Sequence, residues 1–158
     1  MLSFDSSLSD ALKLGNTTAF WVLKLYYNAE GSSDFIGVSD THRVDGSDIY
    51  YGLVSSWGSY SQSLDFFSFT TTTGNMSVRL INTDKSIKGG RFSDLFSTNN
   101  FANRKWELFL NTAQAGTYDT AARMIGTGII SGDIKYDYKS INFALLDNSN
   151  SAHNQVPI

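Results

Sequence analysis

The chain is expected to fold as a mainly β domain, an antiparallel β-sandwich or barrel with a short N-terminal helix and a short helical corner near residues 91–97. Three observations carry that expectation. Apolar and polar residues alternate along seven to nine short segments separated by turn residues. Aromatic side chains are abundant, 11 Phe, 8 Tyr and 3 Trp, and they favour the half-buried pleat of a strand. There are 13 glycines but one proline, Pro157, so Gly, Asn, Asp and Ser must make the turns.

The helix comes first. Ser6 or Ser7 can cap it, Asp10 sits in its first turn, Ala11, Leu12 and Leu14 supply apolar contacts, and Gly15 stands where a left-handed C-terminal cap is expected. At about two turns it needs a surface to dock on. "AFWVLKLYY" (19–27) then places Trp21, Leu23, Leu25 and Tyr27 on one face, with Phe20, Val22, Lys24 and Tyr26 on the other. "DFIGVSD" (34–40) and "DIYYGLV" (48–54) flank "THRVDGS", whose Asp45-Gly46 is the strongest hairpin-turn dipeptide in the chain. "SLDFFSFT" (63–70) is a further aromatic strand.

"NMSVRLIN" (75–82) alternates cleanly, Met76, Val78 and Leu80 inward and Ser77 and Arg79 outward. "RKWELFLN" (104–111) sets Trp106, Leu108 and Leu110 on one face. "GIISGDIKYDY" (128–138) and "SINFALLD" (140–147) read as a hairpin through Lys139, with Ile134, Tyr136 and Tyr138 facing Ile141, Phe143 and Leu145. The β domain is thus expected to span 1–147. Residues 148–158, "NSNSAHNQVPI", read as a polar tail or linker of the kind that leads into a further C-terminal region.

Charge and composition exclude several classes. The net charge is −3, with 12 Lys and Arg scattered along 158 residues, so there is no basic stripe for nucleic acid. No apolar run approaches the ~20 residues that span a bilayer as a helix. The absence of cysteine rules out disulfides and Cys-based zinc sites.

Motifs for chemistry are weak. Gly89-Gly90-Arg91 invites a phosphate-loop reading, but "RFSDLFST" supplies one or two helical turns at most and no GK[ST] follows. A glycine-made turn before a helical corner fits better. Asp40, His42, Asp45 and Asp48 lack calcium-loop spacing. His42 and His153 are the only histidines and there is no G-x-S-x-G elbow; paired aspartates stay open on sequence, but nothing marks a pair. No enzyme activity, metal or cofactor is expected. Trp57, in "SSWGSYSQS", has small polar neighbours and suits an exposed contact with a sugar or a protein.

Taken in order, "FWVLKLYY", "SDTHRVDGSDIYYGLV", "NMSVRLINTDKSIKGGRFSDLF", "NFANRKWELFL" and "GTGIISGDIKYDYKSINFALLD" resemble the N-terminal domain of hub-type bacteriophage tail and baseplate proteins, as found in marine phages and gene-transfer agents. The resemblance covers residues 19 to about 147 and rests on alternation and turn positions. It implies a structural component of a virion tail, assembled in the host cytoplasm, that works by contact with copies of itself in a ring and with other tail or baseplate proteins. Chains of that kind continue past a segment like Val156-Pro157.

Three contact regions follow as expectations: the Asp45-Gly46 hairpin tip, Trp57 with Tyr60, and the 96–103 loop with Asn99, Asn100 and Phe101. The alternative function is a carbohydrate-binding β-sandwich module acting in receptor binding, centred on Trp57.

Overall fold

A computed structural model of the chain describes residues 18–29, 33–45, 48–59, 62–65, 70–73, 75–84, 86–87, 89–114, 117–118 and 123–147. The expected N-terminal helix and the 148–158 tail lie outside these residues. Those described are mainly strand: β1 Thr18–Tyr26, β2 Phe35–Ser39, β3 Arg43–Asp45, β4 Asp48–Gly52, β5 Val54–Trp57, β6 Gln62–Asp65, β7 Thr70–Thr73, β8 Met76–Ile81, β9 Lys105–Gln114, β10 Thr117–Tyr118, β11 Arg123–Ile130, β12 Lys135–Tyr136 and β13 Ser140–Asp147. The segment expected to turn a helical corner holds a 3-10 helix, Phe92–Ser97.

The strands form one large sheet in the order β3-β4-β2-β1-β9-β11-β13-β8-β5, with β10 added to β9 and β12 to β13; β6 and β7 pair as a separate ribbon. The expected antiparallel arrangement holds for the other ladders and gives way at one, because β2 and β4 run parallel, Val38 opposite Tyr51. Strand β4 instead makes its hairpin with β3, Val44 opposite Ile49 and Asp45 opposite Asp48. The chain after β2 therefore loops back before β4 instead of turning tightly onto it. The stretch read as one strand over 63–70 contributes the end of β6 and the start of β7, which pair with each other.

The row of strands is open as a ladder, since neither β3 nor β5 has a partner on its outer side among the described residues. It is not flat. Strands β4 and β5 stand seven ladder steps apart, which on a flat sheet is roughly 33 Å at ~4.8 Å per step. Yet only Leu53 separates them in the chain, a span of at most ~7 Å. The sheet must curl until β4 and β5 meet at Leu53, which is buried, donates its N–H to Tyr51 O (2.8 Å) and accepts from Ile81 N (2.7 Å).

Curling explains why one side of the sheet is a continuous core. Leu23 and Leu25 from β1, Val38 from β2, Val78 and Leu80 from β8, Trp106 and Leu108 from β9, Ile130 from β11, and Ile141, Phe143 and Leu145 from β13 share one cluster. They are the alternate residues of their strands, as a period of two requires. A smaller outer cluster of Phe20, Val22 and Tyr50, with Phe35 against it, covers β1 from the other side. The Arg43 guanidinium lies 3.8 Å over the Phe20 ring and shields it from water.

The last hairpin departs from its expected facing. Ile141, Phe143 and Leu145 are buried, but Tyr136 is 58% and Tyr138 78% exposed. Strand β12 pairs with β13 at only two positions, Lys135–Asn142 and Tyr136–Ile141. The Asp137 carboxylate then accepts from the N–H groups of Lys139 (2.7 Å) and Ser140 (2.8 Å), a turn that swings Tyr138 outward.

Candidate functional site

The curled sheet has two ends of different chemistry. At one, four phenylalanines meet. Phe92 lies 5.7 Å from Phe101 and 5.9 Å from Phe143, and Phe96 lies 5.7 Å from Phe101, ring centre to ring centre. Phe92 and Phe96 come from the 3-10 helix, Phe101 from the loop after it and Phe143 from β13, so a local turn plugs the sheet with apolar mass.

The turn before the helix explains Gly89-Gly90-Arg91. Gly89 has φ +98, a left-handed conformation that a side chain resists. Gly90 N donates to Ile87 O (3.1 Å) and Arg91 N to the Asp94 carboxylate (2.9 Å). Both amides are consumed within the turn and are not available to an anion. The Arg91–Asp94 pairing takes this backbone form, while the Arg91 guanidinium instead reaches Asp84 (2.9 Å) and lies 5.0 Å over the Tyr138 ring.

Asn82 ties the helix down. Its side-chain N–H group donates to Ser93 Oγ (3.0 Å) and to Asp137 O (2.6 Å), and its amide oxygen accepts from Ser93 N (3.0 Å). The following loop is equally held. Asn99 N donates to Leu95 O (2.8 Å), Asn28 N to Asn100 O (2.9 Å), Ala102 N to Asn100 Oδ1 (3.0 Å) and Asn103 N to Ile130 O (2.9 Å). Between this loop and Ile134 and Tyr136 runs a shallow groove of about 380 Å³.

The opposite end carries the tryptophans. Trp21 and Trp57, with Gly58, Met76, Leu108 and Ile125, line a cleft of about 280 Å³. Trp57 is half-buried and packs against the main core, so it is not the free-standing aromatic its polar neighbours suggest. Trp21, which shares its strand face with Leu23 and Leu25, is 39% exposed and lines the cleft. The third tryptophan, Trp106, is fully buried and donates its indole N–H to Leu146 O (2.9 Å).

A polar cluster sits on the outer face of β1 and β9. The Tyr26 hydroxyl donates to Glu107 Oε2 (3.0 Å), and Lys105 pairs with the same carboxylate. Burial and the Glu107 hydrogen bond push the Tyr26 hydroxyl up to about 12. Hydrogen bonds from the Lys139 and then the Ser140 N–H hold Asp137 below the ordinary carboxylate value. Asp40 is used locally, accepting from Ser39 Oγ (3.0 Å) and pairing with Arg43 (3.4 Å), and His42 lies edge-on to Tyr51. Among the described residues no three His, Cys, Asp or Glu side chains gather in a group able to hold a metal ion.

Comparison with solved structures finds a likeness to a chain of the structure titled "Virion of native gene transfer agent (GTA) particle". The TM-score is 0.59 at 12% identity, over 98% of this chain and 48% of that one. At that identity the likeness is one of fold, and the chain spans about half the length of its neighbour. No protein-family model and no curated protein matches the sequence.

The expected contact residues are thus dispersed. Asp45 ends β3 at the hairpin, while Gly46 and Tyr60 lie outside the described residues. Trp57 lines the cleft at one end, and Asn99, Asn100 and Phe101 line the groove at the other. Two contributors were missed, Trp21, placed only by its strand face, and Tyr136, assigned inward by alternation. For Tyr136 the signal was present, since the Asp-x-x-Ser pattern of Asp137 to Ser140 marks a turn close by.

Proposed function

We propose that this chain is a structural component of a phage-like virion, a hub-type tail or baseplate module that acts by ring assembly and contact with other tail proteins. The observation that carries the reading is the fold likeness to a chain of a gene transfer agent particle across 98% of the sequence. The dispersion of surface features supports it, because a subunit in a closed ring needs two different patches. The Trp21–Trp57 cleft, lined by Met76, Leu108 and Ile125, suits an apolar side chain of a neighbouring subunit. The second patch is the β3–β4 hairpin, where Val44 and Ile49 face each other across the ladder and both are exposed. The reading assigns the chain no catalytic step and places it in the virion tail, assembled in the host cytoplasm.

Native mass spectrometry over a concentration series, with and without a purified tail-tube protein, tests this. A closed oligomer or a stoichiometric complex is expected, weakened by Trp57→Ala and by Val44→Asp. A chain that stays monomeric at high concentration and binds no tail component would sink the proposal. The carbohydrate alternative is not favoured at Trp57, because the cleft around it offers apolar groups where a sugar needs hydrogen-bond partners for its hydroxyls.

A further inference from the structure

The groove at the phenylalanine end differs in kind from the tryptophan cleft. Its floor is aromatic, Phe96 and Phe101 with Tyr136 tilted against Phe96 at 5.1 Å between ring centres. Its wall is the polar loop Ser97 to Asn100. Among the described residues no hydrogen bond engages the half-buried Asn99 side-chain amide, and Asn100, also lining the groove, uses only its amide oxygen. No lining residue carries a charge at neutral pH. The loop is already fixed by its own backbone bonds, so a ligand would not have to order it.

We propose that this groove binds a neutral sugar unit, the exposed Tyr136 ring stacking on the C–H face of a pyranose and the Asn99 and Asn100 amides bonding its hydroxyls. A side-chain amide both donates and accepts, as neighbouring hydroxyls do, and an aromatic face takes up the apolar side of the ring. The absence of charged lining residues points to a neutral sugar over an acidic one. A protein partner is the lesser fit, since the groove is shallow and lacks the enclosed apolar pocket in which an anchoring side chain is buried. This assignment is independent of the virion reading.

Saturation-transfer NMR of the full chain with maltotetraose and chitotetraose, neutral oligomers of glucose and N-acetylglucosamine, tests it. Transfer to ring protons of at least one sugar is expected. Tyr136→Ala and Asn99→Ala should each weaken binding roughly tenfold or more, while Trp57→Ala stays within about twofold of the parent. Asn99→Asp, which keeps the size but removes the amide donors, serves if Asn99→Ala no longer unfolds cooperatively. Transfer to neither sugar overturns the assignment. So does unchanged binding in the Tyr136 and Asn99 variants, binding lost only in Trp57→Ala, or loss of self-association in Tyr136→Ala with sugar binding intact.

Discussion

At the scale of single residues, the tightest constraint is Gly128. A Cβ there would overlap the Leu146 carbonyl oxygen and come within 2.8 Å of Trp106 Nε1, the two partners of one hydrogen bond. Gly128→Ala should therefore destabilise the fold by roughly 1–3 kcal/mol or more, read as a fall in the urea midpoint. Tyr26 gives a pH signature. Burial and the Glu107 hydrogen bond push its hydroxyl up to about 12, from an ordinary value of 10.0. A raised acid stabilises the fold below its unfolded pKa and loses that contribution as pH rises through the folded one. Stability should thus decline between pH 10.0 and about 12 more steeply in the parent than in Tyr26→Phe, measured as the difference between their denaturant midpoints.

At the scale of elements, the 3-10 helix is too short to persist by itself, and its place is set by packing and by Asn82. Phe92 drives it into the core, and Asn82 joins it to both β8 and the turn before β13. Asn82→Ala would leave Ser93 N and Asp137 O without this partner, a cost of about 1–3 kcal/mol by chemical denaturation. Because the groove wall continues directly from the helix, the same substitution should also raise hydrogen exchange across residues 93–103 before global unfolding. The helical corner was legible in "GGRFSDLF", since Gly89 permits the turn and Asp94 caps Arg91. Its anchor was not, because Asn82 reaches Asp137 across 55 residues.

At the scale of the molecule, β4 and β5, seven ladder steps apart, are joined in the chain through Leu53, and among the described residues no ladder joins the sheet ends. Leu53→Ala removes buried apolar mass at that junction and should cost roughly 2–5 kcal/mol. Exchange protection should follow position in the row. Strands β1, β9 and β11 have ladders on both sides and should protect longest, while β3 at the open end should exchange first. Equal protection of β3 and β9 would contradict the strand order.

The residues alone determined that this chain is built of strands, and on β8 and β13 they determined which side chains go inward, because a period of two is a local property. Met76, Val78 and Leu80 needed no further information to be placed. Which strands became neighbours, that β2 and β4 run parallel, and that Trp21 lines a cleft while Tyr136 flanks a groove were decided only by the tertiary structure. The physical reason is that alternation records facing but not depth along a strand or partner across it. Those depend on how far the sheet curls, and the curl is set by contacts between residues distant in the chain.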